Sequence, residues 1–341
     1  MAQTRTRLSS DIDYAKQGRQ LGFLRLTHSD DRHAFGTIAI PVCVLANGAG
    51  PTIVLTAGNH GDEYEGQAIL HDLIRNLAPA RLAGRLIVLP ALNLPAVMAA
   101  SRVSPLDGGN LNRAFPGDAD GSPTSAIAHY VSSVLLPMAQ GAADLHSGGT
   151  STRYVTSVYL HGGGDAALRK RKLDGAKAFG APYTVCAMAT SDSRSLSAEC
   201  DRQGVAMVST ELGGAASIDP TALAIGRNGL VRLLAHFGVL PEPPPQAHFH
   251  ATRLIAPGGA ASSLMTPIDG VFEPCLEIGA SVKAGDLAGR VYPVGEIERA
   301  AVELRVPHDG LTMVRRARSL VARGDYLYRF AVDFDEASYL A

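Results

Sequence analysis

Short apolar runs alternate with helix-like stretches from about Thr37 to Leu240, and this alternation restricts what the chain can fold into more firmly than any other feature. The strand-like runs are 38–45, 52–57, 85–92, 155–160, 183–187 and 205–210. Between them, 64–77, 126–140, 166–179 and 220–237 space their apolar residues as helices packing on a sheet do. The segment PTIVLTA, Pro51 to Ala57, is a short apolar, β-branched run that reads as a buried strand. The expected fold class is α/β, a mixed and mostly parallel sheet flanked by helices.

The pattern stops at Pro241-Glu242-Pro243-Pro244-Pro245, which can neither continue a helix nor fill a sheet ladder. Residues 1–240 are therefore expected as one α/β domain with a lead-in of about 35 residues, 241–247 as a stiff linker, and 248–341 as a small all-β module. Turn signals such as Asp269-Gly270, Ala284-Gly285-Asp286 and Arg323-Gly324-Asp325 give that module the spacing of a lipoyl or biotinyl carrier barrel. A carrier displays a lysine at a hairpin tip. The tract 295–306, where it would sit, has none, and Lys283 is the only lysine of the module. The module is read as a barrel-like structural cap or assembly element without carrier function.

At 341 residues the chain exceeds a usual single core, consistent with a large domain plus a smaller one. Hydrophobic residues make up 46% and charged residues 18%, the balance of an ordinary folded protein. A net charge of −1 gives no electrostatic reason to expect a nucleic acid or a membrane surface as partner. The first twenty residues lack the apolar core of a signal peptide, and no later run approaches the length of a membrane span. Cys43, Cys186, Cys200 and Cys275 form no C-x-x-C pair, so a reduced cytoplasm is the expected setting. Homo-oligomer formation is allowed by the sequence without being specified by it.

Chemistry concentrates at the ends of strand candidates. His60 and Glu63 in NHGDEYEG follow the 52–57 run, and His146 in DLHSGG follows a second short run, 142–145. Open α/β sheets bind ligands at the carboxyl ends of their strands. Two histidines and a carboxylate leave a coordination position open for water, which separates a catalytic zinc from a structural one. The same set also describes a non-haem iron oxygenase, although those enzymes display it on a β-barrel. Glu211, in TELGG at the end of the 205–210 run, is the candidate general base that takes a proton from water and returns it to a leaving amine. A non-catalytic binding protein would have no need of it.

Between the ligands, SRVSPLDGGNLNRAFPG carries Arg102 and Arg113 in a Gly/Pro-rich loop. Arginine's planar fork suits a carboxylate or a developing oxyanion, and the alternative is a solvated loop with ion pairs. Asp62 can orient a ligand histidine or cap the following helix. The stretches 150–153 and 191–194 are expected to shape the acyl and amine pockets.

In this order, NHGDEYEG, NLNRAFPG, DLHSGG and TELGG closely resemble the succinylglutamate desuccinylase and aspartoacylase family of zinc amidohydrolases, related to the zinc carboxypeptidases. The similarity spans roughly residues 36–240. Within the family, the motif wording and the carboxy-terminal β module are most like the deacetylases that act on N-alpha-acetyl-L-2,4-diaminobutyrate in ectoine breakdown. The resemblance implies a zinc-carboxypeptidase-like fold and one zinc ion per chain, held by His60, Glu63 and His146. It implies Glu211 as catalytic base or acid, Asn112 and Arg113 on the carboxylate of a small N-acyl amino acid, and Arg102 as the residue polarising the scissile carbonyl. A desuccinylase or aspartoacylase acting on another N-acyl amino acid is the alternative within the same reaction class.

Overall fold

The computed structural model describes residues 5–31, 33–188, 193–241, 251–259 and 262–341. Its organising element is a set of four parallel strands, Arg85–Leu89, Thr52–Ala57, Gly141–His146 and Ala206–Glu211, lying side by side in that order. Thr52–Ala57 and Gly141–His146 are buried along their whole length. Side chains alternate between faces, so Ile53, Leu55 and Ala57 join one apolar cluster and Val54 joins the other. The first cluster takes in Ile69 and Leu70 of the helix Tyr64–Asn76 and Leu230 and Leu233 of Pro220–His236. The second takes in Ile87, Leu89, Ile127 and Val131. Coverage on both faces explains why the Thr52–Ala57 segment is apolar without alternation, and each aliphatic side chain so buried contributes roughly 2 kcal/mol.

The amino-terminal lead-in is structured. Gly18–Asp30 and His33–Ala46 form a long antiparallel hairpin, edged by Leu8–Ser10 and joined to the sheet through Arg85–Leu89. The helix expected over 126–140 is instead Pro123–Tyr130, followed by a π turn at Val131–Leu135 and a 3-10 turn at Leu136–Met138. Pro137 has no N–H to give to a carbonyl four residues back, and its ring would strike that carbonyl, so the α-helical pattern cannot run through it.

The carboxy-terminal region is divided between two sheets. Gly270–Pro274, Leu287–Tyr292, Val302–Arg305 and Leu320–Val321 make a four-stranded antiparallel sheet. Arg253–Pro257, Gly310–Arg316 and Tyr326–Asp333 instead extend the large sheet, Arg253–Pro257 pairing parallel with Tyr183–Ala187. The proposed linker, except Pro241, lies outside the described residues. Among the described residues no helix is long and apolar enough to cross a membrane.

Candidate active site

The parallel strands end on one side of the sheet and bring the four motifs together there. Glu211 stands in register with His146 on the neighbouring strand. His60 and Glu63 lie in the turn between Thr52–Ala57 and Tyr64–Asn76. That turn packs tightly on the segment after Arg85–Leu89: a Cβ at Gly61 would come within 2.0 Å of the Ala96 carbonyl carbon, and the Gly61 N–H donates to the Ser101 carbonyl at 2.9 Å. Glycine is thus required at position 61, and the same contact places Arg102 beside the turn.

His60 Nδ1 and His146 Nδ1 each lie 2.7 Å from a different oxygen of Glu63, with all three residues buried. One donor atom from each residue falls within 4.8 Å of the others, a cluster that can hold a metal ion. Donor types and tautomers also fit. His146 Nε2 meets Asp144 Oδ2 at 2.8 Å and His60 Nε2 meets Asn110 Oδ1 at 3.2 Å, so each distal nitrogen has an acceptor and each Nδ1 is left to face the point where a metal ion would sit. Asp144 is itself held by Thr56 Oγ1 at 2.8 Å and Asn59 Nδ2 at 3.0 Å.

Burial alone would raise the Glu63 pKa, but His146 and then His60 pull it well below the usual carboxylate range. For His146 burial acts downward and is overcome by Asp144 and Glu63, which raise it far above an ordinary imidazole. Such a concentration of negative charge on buried imidazoles suits a cation. Glu211 behaves oppositely. Burial, followed by repulsion from Glu63, pushes its carboxyl well up, and its Oε2 is buried without a hydrogen-bond partner among the described residues.

A cavity of about 700 Å³ opens onto this centre, and seven of the residues singled out in the sequence line it: His60, Glu63, Arg102, Asn112, Arg113, His146 and Glu211. Arg102 Nη1 is 3.3 Å from His60 Nδ1 and 3.6 Å from Glu63 Oε1. Asn112 Oδ1 accepts from the Leu196 N–H at 3.0 Å, which aims its amide nitrogen elsewhere. Asp62 serves neither of its two expected purposes. Its Oδ2 accepts from the N–H and the hydroxyl of Thr150, both at 2.7 Å, and so pins the loop after His146. Of the stretches expected to shape the pockets, Thr152 lines the cavity and the Arg194 carbonyl accepts from Phe115 N at 3.0 Å; residues 191 and 192 lie outside the described residues.

Several residues at the site are absent from the motif reading. Asp144 was signalled by spacing, because residues two apart on a strand share a face and Asp144 precedes His146 by two. Tyr154, Tyr159, His161 and Arg329 also line the cavity, Arg329 from the far carboxy-terminal strand Tyr326–Asp333. No local pattern signals them.

Residues 49–237 match the family model of the succinylglutamate desuccinylase/aspartoacylase catalytic domain. The chain is 40% identical over 318 residues, 93% of each protein, to the N-alpha-acetyl-L-2,4-diaminobutyric acid deacetylase of Halomonas elongata. Its fold is similar to that of the product-bound ectoine utilization protein EutE (DoeB) from Ruegeria pomeroyi, with a TM-score of 0.92, 38% identity, and 97% of this chain and 100% of that one covered. A succinylglutamate desuccinylase/aspartoacylase structure from Rhodobacter sphaeroides gives a TM-score of 0.91 and 38% identity, covering 96% of this chain and 100% of that one. The chain belongs to the succinylglutamate desuccinylase/aspartoacylase family.

Proposed function

We propose that this protein is a zinc-dependent amidohydrolase that removes the acetyl group from N-alpha-acetyl-L-2,4-diaminobutyrate or a close analogue. The observation that carries the reading is the convergence of the His60, Glu63 and His146 donors beside Glu211 at the floor of one cavity. The relative from Halomonas elongata supports the substrate. His60, Glu63 and His146 would hold the zinc, which when bound lowers the pKa of a water ligand and polarises a carbonyl.

The chain's own residues supply the rest. Asn112 and Arg113 hold the substrate carboxylate and set the acyl group over the metal ligands. Arg102, beside Glu63 and His60, offers its guanidinium to the acyl oxygen as negative charge develops there. Glu211 accepts a proton from the attacking water and returns it to the amine nitrogen as the C–N bond breaks, leaving acetate and the free amine. Four free cysteines, three of them buried, support placing the enzyme in the reducing cytoplasm.

Zinc-loaded protein given N-acetyldiaminobutyrate, N-acetylaspartate and N-succinylglutamate in separate reactions, with free amine measured, tests this. The first is expected to be cleaved fastest. Faster release from N-succinylglutamate would move the assignment to a desuccinylase, and release from none would end it.

A further inference from the structure

Asn112 and Arg113 belong to a loop that is tied most firmly a few residues earlier, at Asp107. Asp107 Oδ1 accepts from the Gly109 N–H at 3.0 Å and the Thr124 hydroxyl at 2.7 Å, while Oδ2 accepts from the Thr124 N–H at 2.8 Å. Thr124 lies in the first turn of Pro123–Tyr130, whose Ala126, Ile127 and Tyr130 are buried in the core. The helix is therefore a rigid post and Asp107 fastens the loop to it. Position 109 cannot carry a side chain, since a Cβ there would stand 2.5 Å from Thr124 Oγ1 and 2.9 Å from Asp107 Oδ1. Ser104 closes the loop from the other side, its N–H donating to the Gly109 carbonyl and its carbonyl accepting from the Gly108 N–H, both at 2.9 Å.

Asn110 follows immediately. Its Oδ1 accepts from the Asn112 N–H at 3.1 Å, so that atom is an acceptor when it meets His60 Nε2 at 3.2 Å. His60 Nε2 accordingly carries the ring proton, and Nδ1 presents its lone pair. We infer that Asp107 is a positioning residue for the metal centre: by fastening residues 107–110 to the helix it holds Asn110 on His60, and the same loop presents Asn112 and Arg113. The inference rests on the reading of His60 as a metal ligand.

Zinc affinity, measured by competition with a chromophoric chelator on the full chain, tests the inference without reference to any substrate. Asp107→Ala and Asn110→Ala are each expected to weaken zinc binding by about tenfold or more. The double variant is expected to be no weaker than Asn110→Ala alone, because Asp107 acts through Asn110. Thr124→Val, which keeps the backbone donor and removes the hydroxyl, provides a milder variant should Asp107→Ala fail to fold; it should give an intermediate loss that Thr124→Ser restores. Unchanged zinc affinity in Asp107→Ala and Thr124→Val, even with a lower melting temperature, would reduce Asp107 to a structural tie and overturn the inference. So would a double-variant loss equal to the product of the single losses. Wild-type protein that binds no zinc would overturn the metal reading itself, a result visible before any variant is made.

Discussion

Glu211 and His161 occupy one cavity and are driven in opposite directions by burial, the carboxyl upward and the imidazole downward. For Glu211 the proposed role is that of the proton acceptor. On the proposed mechanism, replacement by glutamine keeps the shape and removes the proton acceptor, so turnover should fall by about 10²–10⁴-fold while bound zinc, measured by elemental analysis, should stay near one per chain. For His161 the consequence is thermodynamic. Burial, reinforced by Lys172 and Arg113, pulls it down to about 4 from an ordinary 6.5. A folded-state pKa below the unfolded one means that the unfolded chain binds more protons between these values. Its contribution is therefore complete above pH 6.5 and lost as pH falls towards 4, a change of roughly 3 kcal/mol. Urea denaturation of metal-free protein across that window should show a shallower pH slope for His161→Gln than for the wild type, and equal slopes would refute the assignment. The position of Glu211 at a strand end beside the cavity was legible in TELGG. His161 was not, because its meaning comes from Lys172 and Arg113, which approach it only in the fold.

The elements that carry the candidate ligands could be read at the level of strands and turns, since the buried runs 52–57 and 142–145 are followed at once by His60, Glu63 and His146. The partner segments could not, because their contacts depend on how tightly one turn approaches another. Position 61 illustrates the difference. From the sequence Gly61 is one glycine among 36, whereas in the fold it faces the Ala96 backbone with no room for a methyl group. Gly61→Ala must displace either the His60–Glu63 turn or the segment carrying Arg102. It should cost about 3 kcal/mol, the upper end for overpacking, read from the urea midpoint, and should weaken zinc binding at the same time. Loss of stability with unchanged zinc affinity would mean that the Ala96 side gives way and the metal turn does not. The 126–140 helix shows the converse failure, where apolar spacing alone concealed the interruption at Pro137.

At the scale of the whole molecule, strands from the region expected as a β-rich module join the sheet of the α/β domain. Thr152–Tyr154 pairs with Gly310–Arg316, and the Val155 N–H donates to the Met313 carbonyl at 3.0 Å, so a wall of the catalytic cavity is built on carboxy-terminal strands. Turn signals could mark those strands but not their partners, which are more than 150 residues earlier. Arg329 makes the functional consequence testable. It projects from Tyr326–Asp333 into the cavity, its Nε is buried without a hydrogen-bond partner among the described residues, and its charge bears on Tyr154 and Tyr159. A guanidinium so placed gains most when an anion enters, and on the proposed function the carboxylate held by Asn112 and Arg113 is the anion it would share. Because the carboxylate is present in both ground and transition states, loss of this contact should raise KM and leave kcat nearly unchanged. A hydrogen bond to a charged group is worth roughly 1.5–3 kcal/mol, so Arg329→Met should raise KM for the N-acyl amino acid by about ten- to a hundredfold. The same variant should cleave a carboxamide analogue of the substrate no worse than wild type does. An equal loss on both substrates, or a fall in kcat alone, would show that Arg329 supports the wall and does not hold the substrate.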